Sequence, residues 1–174
     1  MYWVHRWMND PATTDVQRDT LRRLVAAGVI ELTNGGWVMH DETVTHWEST
    51  IVQMSLGHDF IVDTFGVAAV PRYAWHIDPF GATGANAAFS ARMGFSAFVV
   101  NRIPDDIKSR WARDRSLDFV WKTPVAGDEH NSELMTHVFD CEPSAPLVEF
   151  RVTWTAREAQ HPAVRHTCLP TDSF

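Results

Sequence analysis

The 174-residue chain has the composition of a globular domain, with 45% hydrophobic and 21% charged residues. Its 15 Lys and Arg against 22 Asp and Glu give a formal charge of -7. This charge argues against a nucleic-acid partner, because such proteins bind phosphates through basic patches. No apolar run approaches the roughly 18 residues of a membrane span, and the first residues lack the pattern of a signal peptide. Cys141 and Cys168 make no disulfide framework, so the redox compartment stays open.

Apolar periodicity and glycine stops predict two helices in the first half of the chain. Residues 15–27 place apolar side chains at helical spacing, and Gly28 follows where a helix end favours positive φ. From Val44 to Phe65 the bulky residues alternate steps of three and four, which predicts one long amphipathic helix ending at Gly66.

The segment between these helices is predicted to be extended. The run VIEL and the run Trp37-Val38-Met39 flank an Asn-Gly-Gly turn signal, which favours one bulged strand or two short ones. We expect Asp41 to cap the long helix. His58 falls on the apolar stripe of that helix, so we expect a core histidine with a hydrogen-bond partner.

The second half alternates strand and helix patterns. Tyr73 to Ile77 is predicted to be a strand that ends at Asp78, because Pro79 cannot donate to a strand ladder. The further predicted elements are a helix at 85–93, a buried strand at 95–100, a helix at 105–114 and strands at 119–121, 134–139 and 148–154. This alternation is typical of βα units around a parallel sheet or barrel.

Asp78 is the first candidate for chemistry, because α/β folds carry functional residues just after the carboxyl ends of their strands. Pro79 disfavours helical backbone at Asp78 and so keeps the carboxylate at the end of the strand. Asp before Pro is also a common turn residue. Spacing alone favours that structural role over a catalytic one.

Several separate motifs resemble one known family. They are NGGWVMHDE (residues 34–42), THW (45–47), AWHIDPFG (74–81), MGF (93–95) and NRI (101–103). In this order and near this spacing they resemble the catalytic domain of class II α-mannosidases, glycoside hydrolase family 38, most closely its lysosomal-type branch. The resemblance covers roughly residues 3–139, so we expect a partial N-terminal catalytic domain at 1–140 and a divergent tail at 141–174.

The resemblance implies a zinc-dependent retaining α-mannosidase on a partial (β/α)7-type barrel with parallel strands. It implies that Asp78 is both the catalytic nucleophile and a zinc ligand, and that Phe80 and Arg102 bind substrate in the same pocket. The implied substrates are mannose-containing oligosaccharides or glycoprotein glycans, and the implied location is the lysosome or secretory pathway.

The chain also departs from the family. The remaining zinc ligands and the acid/base aspartate of the family have no counterpart here, and Ala82-Thr83 stands where the family usually has His-Ser. His40, Asp41, Glu42 and His46 are of metal-binding type, but the resemblance gives none of them that role. We therefore expect a slice of a larger enzyme, inactive alone, with the missing remainder of the barrel as a candidate partner. The alternatives are a carbohydrate- or partner-binding remnant without catalysis and a gene fragment without an independent fold.

Overall fold

The structure, a computed structural model, describes residues 1–123 and 133–139 of the chain. The helices are α1 (Tyr2–Met8), α2 (Asp15–Ala26), α3 (Trp47–Phe65), α4 (Gly84–Arg92) and α5 (Asp105–Asp114), with a short 3-10 turn at Val67–Ala69. The strands are β1 (Tyr73–Phe80), β2 (Ala97–Arg102), β3 (Asp118–Lys122) and β4 (Glu133–Val138). Within these residues, no helix combines the length and apolar character needed to cross a lipid bilayer.

The predicted helix at 15–27 is confirmed as α2, and local hydrogen bonds explain its start. The Thr14 amide donates to Oε1 of Gln17 at 2.8 Å, and the Gln17 amide donates back to the Thr14 hydroxyl at 3.3 Å. This capping box satisfies two amides that the helix itself leaves free. The helix stops before Gly28, whose φ of 69° suits a residue without a Cβ atom.

The long amphipathic helix is confirmed as α3, although it begins at Trp47 rather than at Val44. The prediction that Asp41 caps it is wrong, since the N-cap residue is His46. Asp41 instead accepts hydrogen bonds from the amide and hydroxyl of Thr43, both at 2.9 Å, in the turn before the helix. The interpretation of His58 is confirmed, because its Nε2–H donates to the Asn34 carbonyl at 2.9 Å.

The predicted strands within residues 29–39 are not formed. Asn34 and Gly35 adopt positive φ values of 58° and 81°, which interrupts an extended run. Asn34 instead attaches this segment to β1: its amide donates to the Tyr73 carbonyl at 2.8 Å, and its side-chain oxygen accepts from the Trp75 amide at 3.2 Å. Backbone polar groups on the outer edge of β1, the edge that does not pair with β2, are thus satisfied without a second regular strand.

The strand predicted to end at Asp78 continues to Phe80. Pro79 fits there because β1 is an outer strand of the described sheet and its pairing with β2 shifts register between His76 and Phe80. A proline that has no amide to donate is tolerated at such an edge or bulge. The extension carries Asp78 within the strand rather than into the following loop.

The described sheet has the order β1-β2-β4-β3, with β1, β2 and β4 parallel and β3 antiparallel to β4. The predicted α/β class is confirmed, whereas the expectation of parallel strands throughout is wrong for β3. Only residues 123–132 separate β3 from β4, and a parallel crossover usually needs a dozen or more residues. Asp118 and His137 face each other in this pair, with a hydrogen bond of 2.7 Å.

A barrel is not shown, because the described sheet leaves β1 and β3 as outer strands. A cluster of buried apolar side chains lies between the sheet and its helices. It comprises Met54, Ala74, Ala87, Phe95, Phe98, Val100, Leu117, Leu134 and Val138. Four consecutive apolar residues of β2, Ala97 to Val100, are all buried, which accounts for its continuous apolar run. The strand predicted at 148–154 lies outside the described residues.

Candidate active site

The carboxyl ends of β1 and β2 bring the three predicted site residues together. Phe80 pairs with Arg102 in the register of the two parallel strands, and Asp78 lies two residues before Phe80. Nη2 of Arg102 is 2.7 Å from Oδ1 of Asp78. Asp78 and Arg102 are far apart in the sequence but in direct contact in the fold. The contact forms because neighbouring parallel strands end at the same edge of a sheet.

The site is open to solvent. The side chains of Asp78 and Arg102 are 71% and 43% exposed, and Phe80 is 76% exposed. The guanidinium carbon of Arg102 lies 5.8 Å from the centre of the Phe80 ring, within cation–π range. The guanidinium of Arg102 thus contacts both the Asp78 carboxylate and the Phe80 ring.

A cleft of about 680 Å³ adjoins this group. Its lining is mostly apolar and comes from the ends of β1 and β2 with the residues that follow them, from α5, and from β3 and β4. The lining residues are Phe80, Gly81, Ala82, Val100, Arg102, Ile103, Pro104, Trp111, Phe119, Trp121 and Val138. Aromatic rings beside a few polar groups are the usual makeup of a small-molecule site.

Beneath the exposed group lies a buried polar network centred on Glu42. Oε1 of Glu42 is 2.7 Å from Nδ1 of His76, and both side chains are only 1% exposed. A carboxylate can only accept, so His76 donates through Nδ1–H. Oε2 of Glu42 accepts the backbone amide of Thr83 at 2.6 Å. Glu42 thus accepts from one donor before Asp78, at His76, and from one donor after it, at Thr83.

His40 extends the network toward α3. Its Nε2 donates to Oδ1 of Asn86 at 3.0 Å, and its Nδ1 accepts from the side-chain amide of Gln53 at 3.1 Å. These bonds fit a neutral imidazole. Burial, followed by the neighbouring His76, lowers the pKa of His40 below its ordinary value of 6.5. His40 therefore resists protonation where a free histidine would accept a proton.

Glu42 and His76 were missed as a pair by sequence reasoning, although both lie in the motifs that carried the resemblance. The signal was weak because 34 positions separate them, and residue type suggested metal ligands or helix caps instead. Alternation along β1 gave one usable hint, since His76 and Asp78 fall on the same strand face. His46 lies at the N-cap position of α3 without a side-chain cap bond.

The residues around Asp78 do not by themselves fit a zinc ion. Across residues 1–123 and 133–139, no three or more His, Cys, Asp or Glu side chains come together as a metal site. Asp78 brings a single carboxylate to the sheet edge, where its described partner is a cation. Zinc in proteins takes a tetrahedral set of nitrogen, sulfur and oxygen ligands. The described residues therefore account for at most one of them.

The fold and site define an α/β domain with a carboxylate and a guanidinium at the carboxyl edge of parallel strands. The sequence profile of the Glycosyl hydrolases family 38 N-terminal domain matches residues 1–165. The chain therefore belongs to glycoside hydrolase family 38. The match reaches beyond the boundary predicted at residue 140, and that boundary stays a prediction because residues 140–174 lie outside the described part.

Curated relatives agree with this assignment. Lysosomal alpha-mannosidase of Homo sapiens is 41% identical over 138 residues, which cover 78% of this chain and 13% of that protein. Epididymis-specific alpha-mannosidase of Homo sapiens is 39% identical over 139 residues, which cover 78% of this chain and 14% of that protein. Lysosomal alpha-mannosidase of Bos taurus is 34% identical over 165 residues, covering 95% and 16%. The chain thus spans about one seventh of the length of these relatives.

Proposed function

We propose that this chain is part of the catalytic domain of a retaining α-mannosidase, with Asp78 as the nucleophile. The family assignment and the names of the relatives support this proposal. The observation that carries it is the contact of 2.7 Å between Arg102 and Asp78 beside the exposed Phe80 ring. Asp78 lies near the end of β1 and contacts Arg102, which lines the aromatic cleft together with Phe80.

In the proposed reaction an Asp78 oxygen attacks the anomeric carbon of a terminal α-mannosyl residue. A bond forms between Asp78 and that carbon while the bond to the leaving oxygen breaks, and a separate acid protonates the leaving group. Water then attacks the same carbon and releases mannose and the free carboxylate. Arg102 holds the Asp78 carboxylate in one orientation by a charge-assisted hydrogen bond, and Phe80 packs against the sugar ring.

A chimera tests the assignment of Asp78. The matched segment of human lysosomal alpha-mannosidase, which spans 138 residues of this chain, is replaced by the corresponding residues here. We expect turnover of an aryl α-mannoside by the chimera and a loss of at least about 10³-fold in kcat for Asp78→Asn. Asp41→Asn, another exposed aspartate, is the matched control and should retain activity. Full activity of the Asp78→Asn chimera would refute the nucleophile assignment.

For the 174-residue chain alone we propose no turnover. In the described residues Asp78 pairs with the cation Arg102, and no three or more His, Cys, Asp or Glu side chains come together as a metal cluster. We expect no hydrolysis of an aryl α-mannoside by the purified chain, with or without added zinc. Zinc-dependent turnover would refute this part of the proposal.

We further propose that Asp78 is one zinc ligand when the complete site is assembled. Carboxylate oxygen is an accepted zinc ligand, and a zinc ion held there would orient sugar hydroxyl groups of the substrate. Metal analysis of the chimera tests this: about one zinc per chain is expected, and a clear decrease for Asp78→Ala. Unchanged zinc content in that variant would remove Asp78 from the ligand set.

The proposed substrates are oligosaccharides or glycoprotein glycans with terminal mannose, and the proposed location is the lysosome or secretory pathway. Both proposals follow the relatives, several of which are lysosomal alpha-mannosidases. The missing part of a barrel is the proposed protein partner, because the outer strands β1 and β3 offer edges for further strands.

A second candidate function is glycan binding without catalysis. The apolar lining of the cleft, with Trp111, Phe119 and Trp121 beside Phe80, favours it, because aromatic faces pack well on sugar rings. Calorimetry with mannobiose separates the two functions. Binding by the 174-residue chain that is unaffected by Asp78→Ala would support the binding function, whereas undetectable binding would count against it.

A further inference from the structure

Glu42 contacts both ends of the segment that carries Asp78. His76 lies two residues before Asp78 and Thr83 five residues after it. Oε1 of Glu42 bonds to the imidazole of His76 at 2.7 Å, and Oε2 bonds to the amide of Thr83 at 2.6 Å. One buried carboxylate therefore fixes the ends of residues 77–82.

This segment has few other restraints. The register between β1 and β2 shifts between His76 and Phe80, so the regular strand pairing that would hold the backbone is interrupted there. Asp78 and Phe80 are exposed, and so gain little from packing. The anchor at Thr83 is itself firm, because the Thr83 hydroxyl accepts the Asn86 amide at 3.2 Å and caps α4.

We propose that Glu42 is a positioning residue for the site. By bonding to His76 and Thr83 it sets the path of residues 77–82, and thereby the distance between Asp78 and Arg102. The inference rests on the proposed catalytic role of Asp78. Glu42 bonds to His76 and Thr83 on either side of Asp78, so its effect on the site passes through the backbone.

A purely structural role would give a different result. If Glu42 only stabilised the core, its loss would lower global stability and leave the local geometry of the exposed Asp78–Arg102 pair unchanged. If it positions the segment, its loss will also shift the Nε–H resonance of Arg102 in a chain that is still folded. Hydrogen exchange at the Thr83 amide reports the loss of the Glu42 bond itself.

The test uses NMR on the full 174-residue chain and on its Glu42→Gln variant. Gln keeps the size of the side chain and one acceptor oxygen but can no longer accept from both His76 and Thr83. We expect the Thr83 amide to exchange about tenfold faster or more and the Arg102 Nε–H resonance to shift. Glu48→Gln, an exposed glutamate of α3, is the control and should change neither signal. An unchanged Arg102 Nε–H resonance in folded Glu42→Gln, whatever the exchange rate of Thr83, would refute the proposal.

A measurement on the wild-type chain covers the case in which the variant does not fold. The geometry requires that Thr83 exchanges more slowly than Gly81 and that His76 carries its proton on Nδ1. Equal exchange at the two amides, or a proton on Nε2 alone, would overturn the inference.

Addition of methyl α-mannoside separates this inference from the proposed function. If the sugar perturbs no resonance of Phe80 or Arg102, glycan binding at this site fails in the isolated chain. The Thr83 and Arg102 signals of the Glu42→Gln variant would still decide whether Glu42 sets the position of the exposed pair.

Discussion

Two hydrogen-bonded pairs of side chains in this domain have the same separation but opposite surroundings. Arg102 and Asp78 approach to 2.7 Å with 43% and 71% of their side chains exposed, whereas His76 and Glu42 approach to 2.7 Å with 1% exposed on each side. The exposed pair lies at the edge of the cleft. The buried pair lies beneath it and joins the turn before α3 to β1.

The difference in exposure assigns the two pairs different expected roles, ligand recognition for the exposed pair and stability for the buried pair. An exposed pair contributes little to stability because water screens it and its side chains lose entropy. Such a pair is free to exchange partners when a ligand arrives. A buried pair tolerates no loss of a partner, because the remaining polar group is left without hydrogen bonds in the interior. We therefore expect stability to depend on Glu42 and ligand recognition to depend on Arg102.

The largest expected effect is that of Glu42→Ala. This change leaves the buried His76 and the Thr83 amide without their acceptor, so we expect the free energy of unfolding to fall by about 3–5 kcal/mol. Urea denaturation measures it, and Glu48→Ala at an exposed position should change it by less than about 0.5 kcal/mol. A decrease below about 1 kcal/mol for Glu42→Ala would contradict the buried character of this pair.

Gly57→Ala tests the close packing of residues 35–37 against α3. An added Cβ atom would lie 2.0 Å from the Gly35 carbonyl oxygen and 2.6 Å from the Trp37 nitrogen, both of them backbone atoms. We expect a loss of about 1–3 kcal/mol from overpacking. Ser55→Ala on an exposed position of the same helix is the control. Equal thermal stability of Gly57→Ala and wild type would show that the close approach is not required.

Arg102→Gln addresses the exposed pair. We expect the free energy of unfolding to change by no more than about 1 kcal/mol, whereas kcat/KM of the active chimera should fall by about 10²-fold. Urea denaturation and steady-state kinetics give the two values. A large loss of stability with unchanged kinetics would reverse the roles that we assign to the two regions.

The smallest expected effect concerns pH. Because burial lowers the pKa of His40 in the folded chain, the unfolded chain binds more protons below the ordinary value of 6.5. Stability should therefore be complete above that pH and decline as the pH falls toward the lowered pKa. His40→Gln should flatten this decline in thermal melts between about pH 7 and 5. His46→Gln, at an exposed position, is the control, and an equal decline in the His40 variant would exclude His40 as its source.

Local patterns in the sequence were sufficient to predict most helices. Gly28, Gly66 and Gly94 each follow a helix and adopt positive φ values of 69°, 89° and 87°, and α5 has the bounds that its pattern predicts. Helices depend on neighbours three and four positions apart, so a single chain carries their signal. The structure of the segment around Asn34 could not be predicted from local pattern, because its hydrogen bonds are to β1, about forty positions away.

For the site, the sequence motifs determined the family and the identities of Asp78, Phe80 and Arg102 as candidates. Only the tertiary structure decided that these three residues meet, that β3 runs antiparallel, and that Glu42 bonds to His76 and Thr83. The physical reason is that strand pairing and buried hydrogen bonds join residues far apart in the chain, where composition and periodicity carry no information on partners. The sequence by itself therefore determined which residues are candidates for chemistry, and the fold decided which residues contact one another.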